Sequence, residues 1–161
     1  MTDGQTHKLV DDGRRLVLKG IGAAGLLLLA GCGQSRPTVD LYIQSDGDFL
    51  AYKPDTLSCP TGAQVHLTFH HAGKILSQEH DWVLVRPGTM DEVVKACEKA
   101  GEDNGYVAKD DPRIIAYTPM CKKGETVGIH FIAPAPGDYP FFCSTPGHAE
   151  TMHGILHVTQ V

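Results

Sequence analysis

The segment Cys143-Ser144-Thr145-Pro146-Gly147-His148-Ala149-Glu150-Thr151-Met152 constrains this chain more than any other part of it. It sets a thiol, an imidazole and a thioether on one short loop between two strand-like runs, Tyr139 to Cys143 and Gly154 to Thr159. Thiolate and thioether are soft ligands that favour Cu(I), whereas imidazole also suits Cu(II). A second imidazole would complete a trigonal two-histidine, one-cysteine plane with the methionine as a long axial ligand. His80 is the candidate, because Glu79-His80-Asp81-Trp82-Val83-Leu84 opens the one tryptophan-bearing strand. Structural zinc sites combine several Cys and His in paired spacings, and this loop holds one of each plus a methionine. The expected metal is therefore one copper ion, held by His80, Cys143, His148 and Met152. Taken singly these residues would read as core filler and surface histidine; their spacing is what joins them. The other histidines, His66, His70, His71, His130, His153 and His157, read as non-ligands, with His70-His71 in a loop.

The rest of the chain alternates as strands do. Apolar residues recur at period two over Val39 to Gln44, Gln64 to Phe69 and Val127 to Ile132, and strands are also expected at Trp82 to Val85, short and apolar, and at Ile114 to Tyr117. Ser45-Asp46-Gly47-Asp48 and Pro134-Ala135-Pro136-Gly137-Asp138 supply turn chemistry. One segment breaks the rhythm: Met90, Val93, Val94, Cys97 and Ala100 recur at helical spacing, Thr89 to Glu92 fits a capping box, and Gly101 a stop. The expected fold is all-β, a Greek-key β-sandwich with one short inserted helix.

At 161 residues the chain suits one domain with a real core. A composition 42% hydrophobic and 20% charged excludes extensive disorder. The net charge of −5 is the wrong sign for a phosphate-binding surface, so nucleic acid is not an expected partner. Residues 1–31 read as an export signal: Arg14-Arg15-Leu16-Val17-Leu18-Lys19 resembles a twin-arginine motif, and the apolar run Ile21 to Ala30 is too short for a permanent span. Leu29-Ala30-Gly31-Cys32 matches a bacterial lipobox, which implies acylation of Cys32, a short tether over residues 32–38, and the folded domain over 39–161. That address is the bacterial cell envelope, facing the periplasm or the exterior, where disulfides can persist.

Beyond single ligands, the chain resembles the azurin and auracyanin branch of the cupredoxins. It has their Cys-x-x-Pro-Gly-His-x-x-x-Met spacing, preceded by Tyr139-Pro140-Phe141-Phe142, and Asp110 to Thr118 is similar to an azurin stretch outside the metal site. The resemblance implies that the backbone carbonyl of Glu79 approaches copper axially, and that His148 is the electron exit within a rim of Thr145, Pro146, Gly147 and Ala149, with Phe49 and Leu50 nearby. It implies brief docking with redox proteins such as c-type cytochromes or a membrane electron-transfer complex. Two departures stand out: Asp81 replaces the family's asparagine, and Thr145 replaces an aromatic residue. Azurin pairs a cysteine near the position of Cys59 with one on its first strand, but Val39-Asp40-Leu41 offers no such partner. Of Cys59, Cys97 and Cys121 at least one must be free, and Cys97 with Cys121 is the preferred pair. The expected function is a monomeric blue copper electron carrier. The competing readings are copper delivery or storage, and copper enzymes. Enzymes of that kind link a second copper centre through a histidine beside the copper cysteine, and here Cys143 is flanked by Phe142 and Ser144.

Overall fold

The structure, a computed structural model, describes residues 36–75 and 78–160, within the compact unit Gln34–Val161. In chain order the described strands are β1 (Thr38–Ser45), β2 (Tyr52–Lys53), β3 (Thr56–Pro60), β4 (Gln64–His70), β5 (Val83–Val85), β6 (Ile114–Tyr117), β7 (Thr126–Ile132), β8 (Gly137–Phe142) and β9 (His153–Thr159). The helix α1 (Met90–Ala100) and a 3-10 turn at Glu102–Asn104 lie between β5 and β6. The strands form two sheets, ordered β2-β1-β4-β7 and β3-β9-β8-β5-β6.

Period-two alternation explains why the sheets stack. Strand β4 turns Val65, Leu67 and Phe69 inward and leaves Gln64, His66, Thr68 and His70 outside. Ile43 of β1 and Val127, Ile129 and Phe131 of β7 join the same face. Leu57, Leu84, Phe141, Leu156 and Val158 of the second sheet, with Trp82, meet them from the other side. Each such side chain contributes about 1.5–3 kcal/mol on burial. Strand β5 is buried throughout because it is covered on both faces. Leu84 faces the sandwich, while Val83 and Val85 pack with Phe142 against Val93 and Cys97 of α1.

Two parallel pairings, β1 with β4 and β3 with β9, set the polarity of the molecule. The start of β1 and the ends of β7 and β9 gather at one pole. There Gln64 N–H donates to the Pro37 carbonyl (2.8 Å), Gly62 to Ala133 (3.1 Å) and Thr61 to Thr159 (2.9 Å). The end of β4, the end of β8 and the start of β9 lie at the other pole, paired as His70↔Gln44 and Phe142↔His153.

Several details differ from the expectations above. Strands β2 and β3 were not anticipated, and β1 starts at Thr38, inside the expected tether. The capping box does not form. Thr89 makes no side-chain cap, and its hydroxyl donates instead to the Arg86 carbonyl at 2.8 Å. The preferred disulfide is also absent: Cys59, Cys97, Cys121 and Cys143 are all free and buried. Cys97 lies on the buried face of α1 and Cys121 belongs to the sandwich core, so the two thiols lie in different clusters.

Candidate metal centre

Three chain segments meet at the pole opposite Pro37. His80 is held just ahead of β5 by reciprocal backbone bonds with Cys121: His80 N–H to the Cys121 carbonyl at 3.1 Å, and Cys121 N–H to the His80 carbonyl at 2.7 Å. Cys143 follows β8, and its N–H donates to the Met152 carbonyl at 3.0 Å. The connecting loop turns back on itself through His148 N–H to Thr145 (3.0 Å) and Met152 N–H to His148 (2.8 Å). Gly147 makes that turn at φ +80°, a conformation that costs glycine nothing and most residues a good deal.

The donor atoms converge. His80 Nδ1 and His148 Nδ1 lie 3.2 Å apart, and Cys143 Sγ lies 3.7 Å from the first and 3.6 Å from the second. A point between three atoms so spaced sits roughly 2 Å from each, close to metal–imidazole bond lengths. Burial is nearly complete: Cys143 and Met152 are 0% exposed, His80 3% and His148 4%. Burial holds the His80 imidazole neutral, its pKa lowered to about 3, with His71 and His148 adding to the effect. Burial lowers His148 likewise, and pushes the Cys143 thiol far up, helped by the Asp81 charge. The imidazoles are therefore ready to bind a cation, and the thiol keeps its proton until one arrives.

A polar frame surrounds these atoms. Asp81 is fully buried, and its carboxylate accepts the Ser144 backbone N–H at 2.7 Å and the Ser144 hydroxyl at 2.6 Å. Burial raises this carboxyl to about 6, and the Ser144 bonds oppose the rise. The Tyr52 hydroxyl donates to the Asp81 carbonyl. Of the pair expected in a loop, His70 instead ends β4, while His71 lies just beyond it and is buried, its ring 4.5 Å from that of His80. Gly73 N–H donates to its Nδ1 at 3.1 Å, so Nε2 carries the hydrogen and donates to the Gln78 carbonyl at 2.7 Å. The Thr145 hydroxyl donates to the Glu79 carbonyl at 2.8 Å.

Residues 39–159 match the family of copper binding proteins described as plastocyanin/azurin. The chain belongs to that family. Auracyanin-A of Chloroflexus aurantiacus is 33% identical over 158 residues, spanning 89% of this chain and 96% of the relative. Azurin iso-2 of Methylomonas sp. strain J is 33% identical over 122 residues, spanning 72% and 95%. Among solved structures, auracyanin A of Chloroflexus aurantiacus, a "blue" copper protein, superposes with a TM-score of 0.71 at 34% identity, over 76% of this chain and 99% of that one.

For a plastocyanin/azurin-family protein the donor set is apt. His80, Cys143 and His148 form the one cluster of metal-binding type among the described residues, consistent with one type 1 copper site. Sequence reasoning named all three. It also named Met152, which is buried in the same core cluster as Cys143. Cys32 lies outside the described residues. The expected rim is mixed: Pro146 and Gly147 are exposed and Thr145 half-buried, but Ala149 is 9% exposed and packs under α1. Phe49 is 75% exposed, while Leu50 leans on the core. What the sequence did not disclose was the buried partnership of His71 with His80 and the bonds of Ser144 and Thr145. The hydroxyls beside Cys143 were the available signal.

Proposed function

We propose that this protein is a blue copper electron carrier of the bacterial cell envelope, with His80, Cys143, His148 and Met152 as ligands and the Glu79 carbonyl as a weak axial neighbour. Copper bound there supplies a one-electron couple, Cu(I)/Cu(II). The observation that carries the reading is the convergence of one thiol sulfur and two imidazole nitrogens within 3.7 Å in a buried site. The protein's part is to fix that geometry, exclude water and tune the metal. His80 is braced by Cys121 and the His71 ring, while Asp81 ties the His80 segment to the Cys143 loop through Ser144. Because both ligand segments are anchored in the core, little has to move when the charge changes.

In this reading residues 1–31 export the chain, a lipid on Cys32 anchors it, and residues 39–161 act as a monomer. Its partners are redox proteins such as c-type cytochromes or a membrane electron-transfer complex. Small contacts around His148, Pro146 and Gly147 suit brief docking. No helix among the described residues is long and apolar enough to cross a membrane. The test is one equivalent of Cu(II) added to the purified protein, followed by its visible spectrum. An intense thiolate-to-copper band, bleached by a mild reductant and lost in Cys143→Ser, supports the carrier. A colourless copper complex, or copper passed to an acceptor without reduction, overturns it in favour of delivery or storage.

A further inference from the structure

We propose that Thr145 is a positioning residue that raises the reduction potential of the site by holding the Glu79 carbonyl. The inference rests on the carrier reading and on the Glu79 oxygen facing the metal. Its observation is separate: the Thr145 hydroxyl donates to that oxygen at 2.8 Å, joining the cysteine loop to the residue just before His80. A carbonyl oxygen has two lone pairs. The hydroxyl occupies one and draws electron density from the other, so the oxygen becomes a poorer donor to a cation.

The loss falls unequally on the two oxidation states. Cu(II) gains more from an oxygen donor than the softer Cu(I) does, so weakening the oxygen favours Cu(I). Accepting an electron then becomes easier, with no bond made or broken in the protein. Two features single out Thr145 for this role. Its neighbouring hydroxyl, Ser144, is committed to Asp81 at 2.6 Å and is not available to Glu79. The other acceptors near Thr145 are sulfurs, Met120 Sδ at 3.9 Å and the Cys143 thiol; both are weaker acceptors than a carbonyl at 2.8 Å, so the carbonyl is the principal partner in the metal-free protein. An open groove of about 510 Å³ borders the pair, lined by Glu102, Tyr106, Met120 and Lys122 as well as Glu79 and Thr145. A shorter or longer side chain at 145 therefore has room without disturbing the ligands.

The experiment compares the full chain with Thr145→Val and Thr145→Ala, which lack the donor, and Thr145→Ser, which keeps it. Each is loaded with one equivalent of Cu(II), and its visible spectrum and midpoint potential are recorded. Both donorless variants should keep the thiolate band but favour Cu(II) by about three- to tenfold, the larger being about 59 mV downward for a one-electron couple. Thr145→Ser should match the wild type. Unchanged or raised potentials in Val and Ala overturn the proposal, as does a fall in Ser equal to theirs, and as does a thiolate band displaced in Val and Ala, which would place the effect on Cys143 and not on the Glu79 carbonyl. Loss of copper uptake in both Val and Ala also overturns it, because the side chain would then hold the site together rather than tune it. A wild type without the thiolate band is a different failure, that of the carrier reading itself.

Discussion

Cys143 and His80 reach the metal site in opposite states of readiness, and the difference can be measured. The buried thiol holds its proton well above neutrality, whereas the His80 imidazole has already given its proton up. Metal binding must displace the thiol proton. Copper uptake at pH 7 should therefore release about one proton per ion, read with an indicator dye in weak buffer. His80→Asn should release the same amount if it still binds. The histidines also tilt stability with pH in the metal-free protein. His80 falls to about 3 in the fold against 6.5 when unfolded, so between these values the unfolded chain binds more protons. That contribution is complete above pH 6.5 and is lost as pH falls toward 3; His148 acts in the same direction. Asp81, raised from 3.8 to about 6, works the other way, weakening the fold as pH rises through that window. Two histidines against one carboxyl predict a lower urea midpoint for the metal-free protein at pH 4.5 than at pH 7.5.

At the level of elements, β9 is the strand on which the site depends most, because it begins directly after Met152 and pairs along the whole of β8. Gly154 sits where that ladder is tightest. A methyl group there would collide with the Asp55 carbonyl oxygen and the Phe141 ring, and backbone cannot move aside cheaply. Gly154→Ala should therefore cost roughly 2 kcal/mol or more by denaturant melt, and weaken copper retention as well. The metal loop was legible in the sequence because three of the residues expected as ligands, Cys143, His148 and Met152, fall within ten residues and are chemically unlike their surroundings. The long strands β1, β4, β7 and β9 were legible because each keeps a clean alternation over several residues. Strand β2 was not, being two residues long, and β3 was not, because only Leu57 and Cys59 alternate in a run that starts after Pro54-Asp55 and ends in Pro60. Its pairing with β9, Thr56↔Ile155 through Pro60↔Thr159, spans most of the domain and leaves no local trace. Thr89 misled for a different reason: a capping motif records what a threonine can do, and the Arg86 carbonyl was the partner actually within reach.

For the molecule as a whole, cohesion comes from packing rather than covalent staples. The four described cysteines are free, so a reductant should leave the melting temperature of the metal-free domain unchanged, as should Cys97→Ser with Cys121→Ser apart from local packing losses. Copper should take over the role of cross-link, since it would join the segment at His80 to the loop at Cys143 and His148; at 100 times its dissociation constant it adds about 2.7 kcal/mol. The polarity of the two parallel pairings has a spatial outcome. The chain enters at Pro37, at one pole, and the ligands sit at the other, separated by the length of β1, about 26 Å at 3.3 Å per residue. Under the proposed lipid anchor on Cys32, the attachment reaches the domain at its Pro37 pole, the one remote from His80, Cys143 and His148. Electrons would then be exchanged at the end away from the attachment, with partners whose own redox groups rise from the lipid or drift in the space above it.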